Sequence, residues 1–371
     1  MKQSILIVAA CALFACCNPQ QKQANQQAAT ISGNPTDTIR PVLITEAAEH
    51  DTDDPAIWIH PTDPAQSLII GTDKDSLGAL YVYDLNGKII EDKVVKGLLR
   101  PNNVDIEYGF EMSGQQVDIA VVTERLTNKI RIFSLPDMKP LDKGGIPVFE
   151  GEAQRAPMGI SLYKNPQDTK MYAMVGRKEG PTNGSYLWQY LLEEGPKGTI
   201  KATVVRKFGT WSGKKEIESI AVDDALGYVY YSDEGVGVRK YYAHPDSSHT
   251  QLALFASSGF AQDHEGISIY QTDEQTGYII VSDQQASRFH IFTREGSPAN
   301  PHEHTLVKTV TLAVIESDGS EVTSQSLNKQ FKGGLFVAMS DDKTFHYYAW
   351  KDISGGNLKI KEEEALKESF D

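Results

Sequence analysis

The strongest constraint on the fold is a pattern that occurs six times along the chain. Each copy contains an apolar strand, a short polar gap and a second apolar or aromatic strand, as in Leu68–Ile70 followed by Leu80–Tyr83. Successive copies start roughly 50 to 57 residues apart, close to the propeller-blade periods of about 40–50 residues. The other five pairs of strands begin at Ile119, Met171, Tyr228, Tyr278 and Leu335.

A short segment before each pair supplies an innermost strand, and an outer strand after each pair would complete a four-stranded sheet. The predicted innermost strands are Ala56–Ile59, Val104–Tyr108, Gly159–Tyr163, Ser219–Val222, Gly266–Tyr270 and Val322–Leu327. We therefore predict an all-β fold, a six-bladed β-propeller of four-stranded antiparallel blades. Val42–Ile44 and Leu358–Ile360 are predicted to share the closing blade. A β-sandwich or two barrels are the alternative, but the even spacing favours the propeller.

The first 40 residues differ from the repeats in composition. An apolar run ends in Leu13-Phe14-Ala15-Cys16, which matches a bacterial lipobox, and the run is too short to span a bilayer at about 20 residues. We expect a lipoprotein signal peptide at 1–15, a lipidated Cys16, a flexible Gln-rich tether at 16–40 and the propeller at 41–371. The alternatives are an ordinary secretory signal or a weaker lipobox at Cys11. All of them predict an exported protein, periplasmic or at the cell surface.

Cysteine content and charge exclude several classes of function. All three cysteines lie at or before Cys17, so the repeats contain no disulfide, no thiolate nucleophile and no cysteine-ligated zinc. The formal net charge of −14 argues against a nucleic-acid surface. It is compatible with cation binding.

Carboxylates cluster where the predicted innermost strands begin. Asp51, Asp53 and Asp54 stand directly before Pro55, which suits the start of a strand. Innermost strands line the central axis of a propeller, so these groups converge there and repel one another unless a cation lies between them. The other blades place Asn102, Asn103, Asp105, Glu216, Glu218, Asp263, His264, Glu265, Glu316, Asp318 and Glu321 at corresponding starts.

The loops between second and third strands lie on the same face and divide it by charge. Blades one to three carry Lys74, Arg125, Arg177 and Lys178 there, a group we name the basic arc, whereas blades four to six carry acids or amides. Clustered oxygen ligands suit Ca²⁺, which takes about 6–8 oxygens. Zinc prefers His or Cys. A basic arc beside calcium suits a phosphorylated ligand; the alternative is that each cation only pairs with a neighbouring acid.

Two segments, Asp51–Trp58 and Asn102–Tyr108, together resemble the signatures of the β-propeller phytases. The resemblance continues through Tyr172–Gly180, Asp263–Gly266 and Gly334–Ala338, and it covers roughly Glu46 to Trp350. It implies a calcium-dependent phosphomonoesterase that acts on inositol hexakisphosphate (phytate).

The resemblance also implies roles for individual residues. The sequence departs from the family pattern at Asp75, where the family often has Lys, and at Met158, where a tyrosine ligand of calcium is common. The implied ligands of several calcium ions or of the attacking water are Asp53, Asp54, Asn103, Glu218, Glu234, Asp263, Glu265 and Asp318. The implied phosphate-binding residues are Lys74, Arg125 and Lys178, to which the basic arc adds Arg177. The expected catalytic set is Glu218, Glu234, Asp54, Lys74, Arg125 and Lys178.

The sequence offers no evident covalent nucleophile, because it contains no Arg-His-Gly segment and no cysteine within the repeats. We therefore expect direct attack by calcium-bound water on phytate or other inositol phosphates. We expect a monomer without a nucleic-acid partner, whose membrane contact is the lipid anchor on Cys16. The alternative is a non-catalytic, calcium-stabilised surface propeller that binds a phosphorylated ligand or partner. A third interpretation, a lactonase-type or quinoprotein-type enzyme, rests on the fold alone.

Overall fold

The computed structural model describes residues 38–362. The predicted signal peptide and nearly all of the predicted tether lie outside the described residues. Within 38–362 there are 24 strands, one short helix α1 (Trp350–Ser354) and four 3-10 turns. Over this range no helix has the length and apolar character needed to cross a membrane. The four 3-10 turns are Pro64–Gln66, Glu91–Lys93, Arg125–Thr127 and Gln284–Ala286.

The strands form six sheets of four antiparallel strands, arranged in a ring. The predicted six-bladed propeller is therefore confirmed. Blade one contains β2 (Thr52–Trp58), β3 (Leu68–Asp73), β4 (Gly78–Tyr83) and β5 (Val95–Leu98). Blade two contains β6 (Pro101–Met112), β7 (Gln115–Glu124), β8 (Lys129–Leu135) and β9 (Ile146–Pro147). Blade three contains β10 (Pro157–Lys164), β11 (Met171–Arg177), β12 (Leu187–Gly195) and β13 (Thr199–Phe208).

The remaining blades follow the same order, except that the last one closes with the first strand of the chain. Blade four contains β14 (Ile220–Asp223), β15 (Tyr228–Asp233), β16 (Gly237–Tyr242) and β17 (Ala253–Phe255). Blade five contains β18 (His264–Gln271), β19 (Gly277–Asp283), β20 (Arg288–Thr293) and β21 (Leu306–Thr311). Blade six contains β22 (Ser320–Thr323), β23 (Leu335–Ser340), β24 (Thr344–Ala349) and β1 (Leu43–Ile44).

Strand β1 closes the ring by pairing with β24, with Leu43 opposite Tyr347. This confirms the predicted role of 42–44. The predicted contribution of 358–360 is wrong: Leu358 packs against the core around Trp350, whose indole N–H donates to the Lys359 carbonyl over 3.1 Å. The innermost strand of blade six begins and ends earlier than predicted. Leu327, the predicted last residue, lies outside the sheet and packs against blades one and six.

Apolar side chains fill all six interfaces between neighbouring blades. Strand β3 shows why its residues are buried on both sides: successive side chains point to opposite faces of a strand, so Ile69 packs towards blade six and Ile70 towards blade two. Comparable clusters join blades two and three, three and four, four and five, and five and six. This packing fixes the innermost strands around the axis.

Candidate functional site

A bulge near the start of the innermost strands positions the central side chains. On β2, Thr52 pairs with Asp73 and Pro55 with Gly71, so β2 has one more residue than its partner across this interval. The same irregularity occurs on β6, β10 and β18, and bulges of this kind re-aim side chains. By register, six residues occupy one equivalent position, which we name the inner ring: Asp53, Asn102, Met158, Glu218, Glu265 and Asp318.

Close contacts between neighbouring innermost strands hold the inner ring in place. A Cβ on Gly319 would lie 2.6 Å from the carbonyl oxygen of Asp53, so only glycine fits there. Hydroxyl groups at the ends of second strands also reach the next blade: Thr123 donates to the Met158 carbonyl over 2.7 Å, and Ser232 to the Glu265 carbonyl over 2.9 Å. The carboxylates are therefore brought together by backbone packing.

A second set of residues surrounds the inner ring where the second strands end. Counted from the register of each blade, this outer ring contains three cations followed by an acid, an amide and an acid. Its members are Lys74, Arg125, Lys178, Glu234, Gln284 and Asp341. The face is thus divided by charge as the sequence predicts, with one correction.

The correction concerns Arg177, which the sequence places in the basic arc. Its side chain is only 1% exposed, lies 4.5 Å from the ring centre of Phe149, and donates to the carbonyls of Gln154 and Ser185 over 3.1 and 3.3 Å. Arg177 occupies the position just before the outer ring. In the other five blades the residue at that position accepts a hydrogen bond from a backbone N–H of its own leading loop. Arg177 is therefore buried inside the blade, where it also pairs with Glu152, and its guanidinium is not exposed on this face.

The acidic half of the site contains two groups of carboxylates that share Glu234. One oxygen from each of Glu216, Glu218 and Glu234 lies within 4.8 Å of the others, and the same holds for Glu234, Asp263 and Glu265. Oxygens on opposite sides of a calcium ion, at about 2.3–2.6 Å each, would be about 5 Å apart. Both groups line a pocket of about 550 Å³. Their spacing therefore fits metal ions of this size.

The basic half of the site is tied to these acids by ion pairs. Lys74 Nζ lies 2.5 Å from Asp53 Oδ1 and 3.0 Å from Asp318 Oδ2. Lys178 Nζ lies 2.7 Å from Glu216 Oε2, and Arg125 Nη2 lies 3.6 Å from the same oxygen. Lys74 and Lys178 line the pocket with the acids. Positive and negative groups therefore face one cavity, an arrangement that suits a metal ion together with a phosphate.

Burial makes the carboxylates unfavourable as isolated charges. Desolvation, followed by the charges of Glu218 and Glu216, raises the pKa of Glu234 to about 9. Desolvation also raises the pKa of Glu218, and it raises the pKa of Glu265 well above its ordinary value. Buried oxygens of Glu234 (Oε1) and Glu265 (Oε2) have no hydrogen-bond partner. A divalent cation would supply the missing partner and favour the ionised form.

Some residues named by the sequence lie apart from this pocket, among them Asp54, Asn103 and His264, whereas Asp53 and Arg125 adjoin it through their ion pairs. Asp54 accepts a hydrogen bond from the Val104 N–H over 3.0 Å, and with Asn103 it lines a separate cavity of about 130 Å³ in the channel. Their predicted roles stay predictions. His264 stacks on Phe260 at 3.9 Å and bonds to the Ala256 carbonyl, so the acidic groups contain oxygen ligands without histidine.

Several pocket residues are absent from the predicted ligand, phosphate-binding and catalytic sets, although the sequence places Glu216 among the converging carboxylates. Glu216 stands two residues before Glu218, a spacing that places both side chains on one side of an extended chain. Gln284 occupies the outer-ring position in blade five and contacts Asp318. Lys215 contacts Asp263. The loop before β14 adds Trp211 and Lys214 to the wall. The repeat pattern could have identified Glu216 and Gln284, because both stand at positions defined by the strands. It could not have identified Trp211 and Lys214, because their positions depend on the conformation of the loop before β14.

Comparison with known proteins identifies the family of this chain. A family model described as Phytase matches residues 2–371. The chain belongs to the phytase family. It is also similar to the protein named 3-phytase from Bacillus subtilis (strain 168), with 27% identity over 320 residues that cover 81% of this chain and 80% of that protein. The predicted family and the predicted class of enzyme are thereby confirmed.

Within this phytase-family site, Arg177 and Lys178 are adjacent residues with opposite expected roles. Arg177→Met should lower the free energy of unfolding by about 2–3 kcal/mol, because buried carbonyls lose their donors, and should leave kcat/KM for inositol hexakisphosphate nearly unchanged. Lys178→Met should lower kcat/KM by about tenfold or more, since hydrogen bonds to charged groups contribute about 1.5–3 kcal/mol. Steady-state kinetics and denaturant unfolding measure both effects. A large loss of kcat/KM in Arg177→Met, with little loss in Lys178→Met, would contradict this assignment and show that Arg177 contacts the substrate.

Proposed function

We propose that the protein is a calcium-dependent phosphomonoesterase that hydrolyses myo-inositol hexakisphosphate. The observation that supports this most directly is the pair of carboxylate groups sharing Glu234, which face Lys74 and Lys178 across one pocket. Simple cation storage would not need ammonium groups in the same cavity. Membership of the phytase family and similarity to a 3-phytase support the same reaction.

The residues divide into a cation-binding set and a phosphate-binding set. Glu218, Glu234, Asp263 and Glu265 would hold calcium, because their oxygens lie close together and two of them lack partners. Calcium supplies positive charge that offsets the charge of the phosphate and favours deprotonation of water. The all-oxygen donor set suits calcium better than zinc. The number of ions is taken as several, because each of the two carboxylate groups could hold one.

The cationic side chains would bind and orient the phosphate. Lys74 is held by Asp53 and Asp318, whose charges raise its pKa far above the ordinary value against the effect of burial, so it stays charged. Arg125 and Lys178 approach from blades two and three. Charge that develops on the phosphate oxygens is stabilised by such fixed donors. Water attacks phosphorus, the bond to the inositol oxygen breaks, and the products are phosphate and an inositol with one fewer phosphate.

The test of this proposal is release of inorganic phosphate from inositol hexakisphosphate. We expect activity with calcium, loss of activity in excess EDTA, and recovery when calcium is restored. Asp263→Asn removes one carboxylate from the acidic set, so it should raise the calcium concentration needed for half-maximal activity by about 10–100-fold. A protein that binds calcium and the substrate but releases no phosphate would instead support the non-catalytic propeller.

We also propose that the protein is exported and anchored to a membrane through a lipid on Cys16. The lipobox that ends at Cys16 and the Gln-rich segment after it support this proposal. Cys16→Ser should leave the signal uncut or move the protein from the membrane fraction to the supernatant. An unchanged, processed membrane-bound protein in that variant would contradict it.

A further inference from the structure

One sector of the inner ring lacks an oxygen ligand. Five of its six positions carry a carboxylate or an amide, but blade three supplies Met158, which is 1% exposed. Calcium takes oxygen ligands and not thioethers. A cation next to Glu218 would therefore be open towards blade three unless another residue supplies an oxygen.

Glu216 reaches this sector from the loop that leads into β14. One of its carboxylate oxygens lies within 4.8 Å of oxygens from Glu218 and Glu234. Glu234 is 4% exposed, and its Oε1 has no hydrogen-bond partner although it lines the pocket. This buried, unpartnered oxygen is an independent sign that the group is built around a cation.

The other contacts of Glu216 show that it faces blades two and three. Its Oε2 lies 2.7 Å from Lys178 Nζ and 3.6 Å from Arg125 Nη2. Among the residues the structure describes, Glu216 is the one member of a carboxylate group that also contacts two residues of the basic arc, Lys178 and Arg125. A single side chain thus joins the acidic and basic halves of the pocket.

We propose that Glu216 is a ligand of the cation held by Glu218 and Glu234 and fills the sector that Met158 leaves without oxygen. The same carboxylate positions Lys178 and Arg125, so cation binding and phosphate binding are coupled through Glu216. This inference rests on the proposed function, since it takes the cation to be calcium and the anion to be phosphate.

The test is calcium binding by the full chain, measured by isothermal titration without substrate. Glu216→Gln keeps the size of the side chain and removes its charge. We expect it to weaken one class of calcium sites by about 10–100-fold, the range found when residues that support a metal site are lost. Inorganic phosphate binding in saturating calcium should weaken as well, because Lys178 and Arg125 lose their shared partner.

The matched control is Glu179→Gln. Glu179 is an exposed acid that lines the same pocket but bonds to Gln154 and lies outside both carboxylate groups. It should bind calcium and phosphate as the unchanged protein does. Equal weakening in Glu179→Gln would show that total pocket charge is responsible, and would overturn the assignment of Glu216.

The outcomes separate this inference from the proposed function. If the unchanged protein binds no calcium, the proposed function fails. If it binds calcium and Glu216→Gln binds equally well, only the role of Glu216 is overturned. Loss of phosphate affinity with unchanged calcium affinity would also contradict the ligand role. If Glu216→Gln does not fold, Glu216→Asp, which keeps the charge but shortens the reach, should still show weakened calcium binding, and normal binding by it would overturn the assignment.

Discussion

Electrostatic repulsion among buried carboxylates is the constraint on which the rest of the site depends. The propeller brings one residue from each innermost strand to a common axis, and four of these six residues are acids. Burial raises the pKa of Asp53, Glu218 and Glu265 because the charged form loses its hydration. Lys74 offsets two of these charges, those of Asp53 and Asp318. Lys215 and Lys178 contact the carboxylate groups around Glu234 at Asp263 and Glu216. Buried oxygens of Glu234 and Glu265 still have no hydrogen-bond partner, and a bound ion would supply one.

The fold meets this constraint through backbone geometry. Bulges on the innermost strands aim the ring residues, and the small residue at Gly319 allows β22 to approach β2 closely. Six apolar interfaces and the pairing of β1 with β24 hold the strands against the repulsion. The chemistry follows from the same arrangement, because second strands end on the same face and add cations in three blades and acids or an amide in the others. A phosphate and a metal ion can therefore be held side by side.

The sequence predicts most of this account, because repeat spacing and alternating apolar residues determine blade number and the face on which each loop lies. This reasoning predicts that Glu218, Glu234, Asp263 and Glu265 lie on one face near the axis. Arg177 was not, because its sequence neighbour Lys178 is equally basic and only the strand register shows which of the two takes the outer-ring position. The prediction that 358–360 form part of the closing blade is wrong for a similar reason. Leu358 is apolar because it packs against Trp350, and the sequence alone does not distinguish such a buried residue from one in a strand. The distance between Glu216 and Glu234 depends on packing between blades, which a repeat pattern does not specify.

The most direct test of the central claim is the thermal unfolding of the full chain as a function of free calcium. A cation that binds only the native state at a hundredfold excess over its Kd adds about 2.7 kcal/mol to the free energy of unfolding. The melting temperature should therefore rise with added calcium and fall when a chelator removes it. The Glu234→Gln variant should show a smaller rise, because both carboxylate groups lose their shared member. A melting temperature that responds to neither calcium nor chelator would contradict the account.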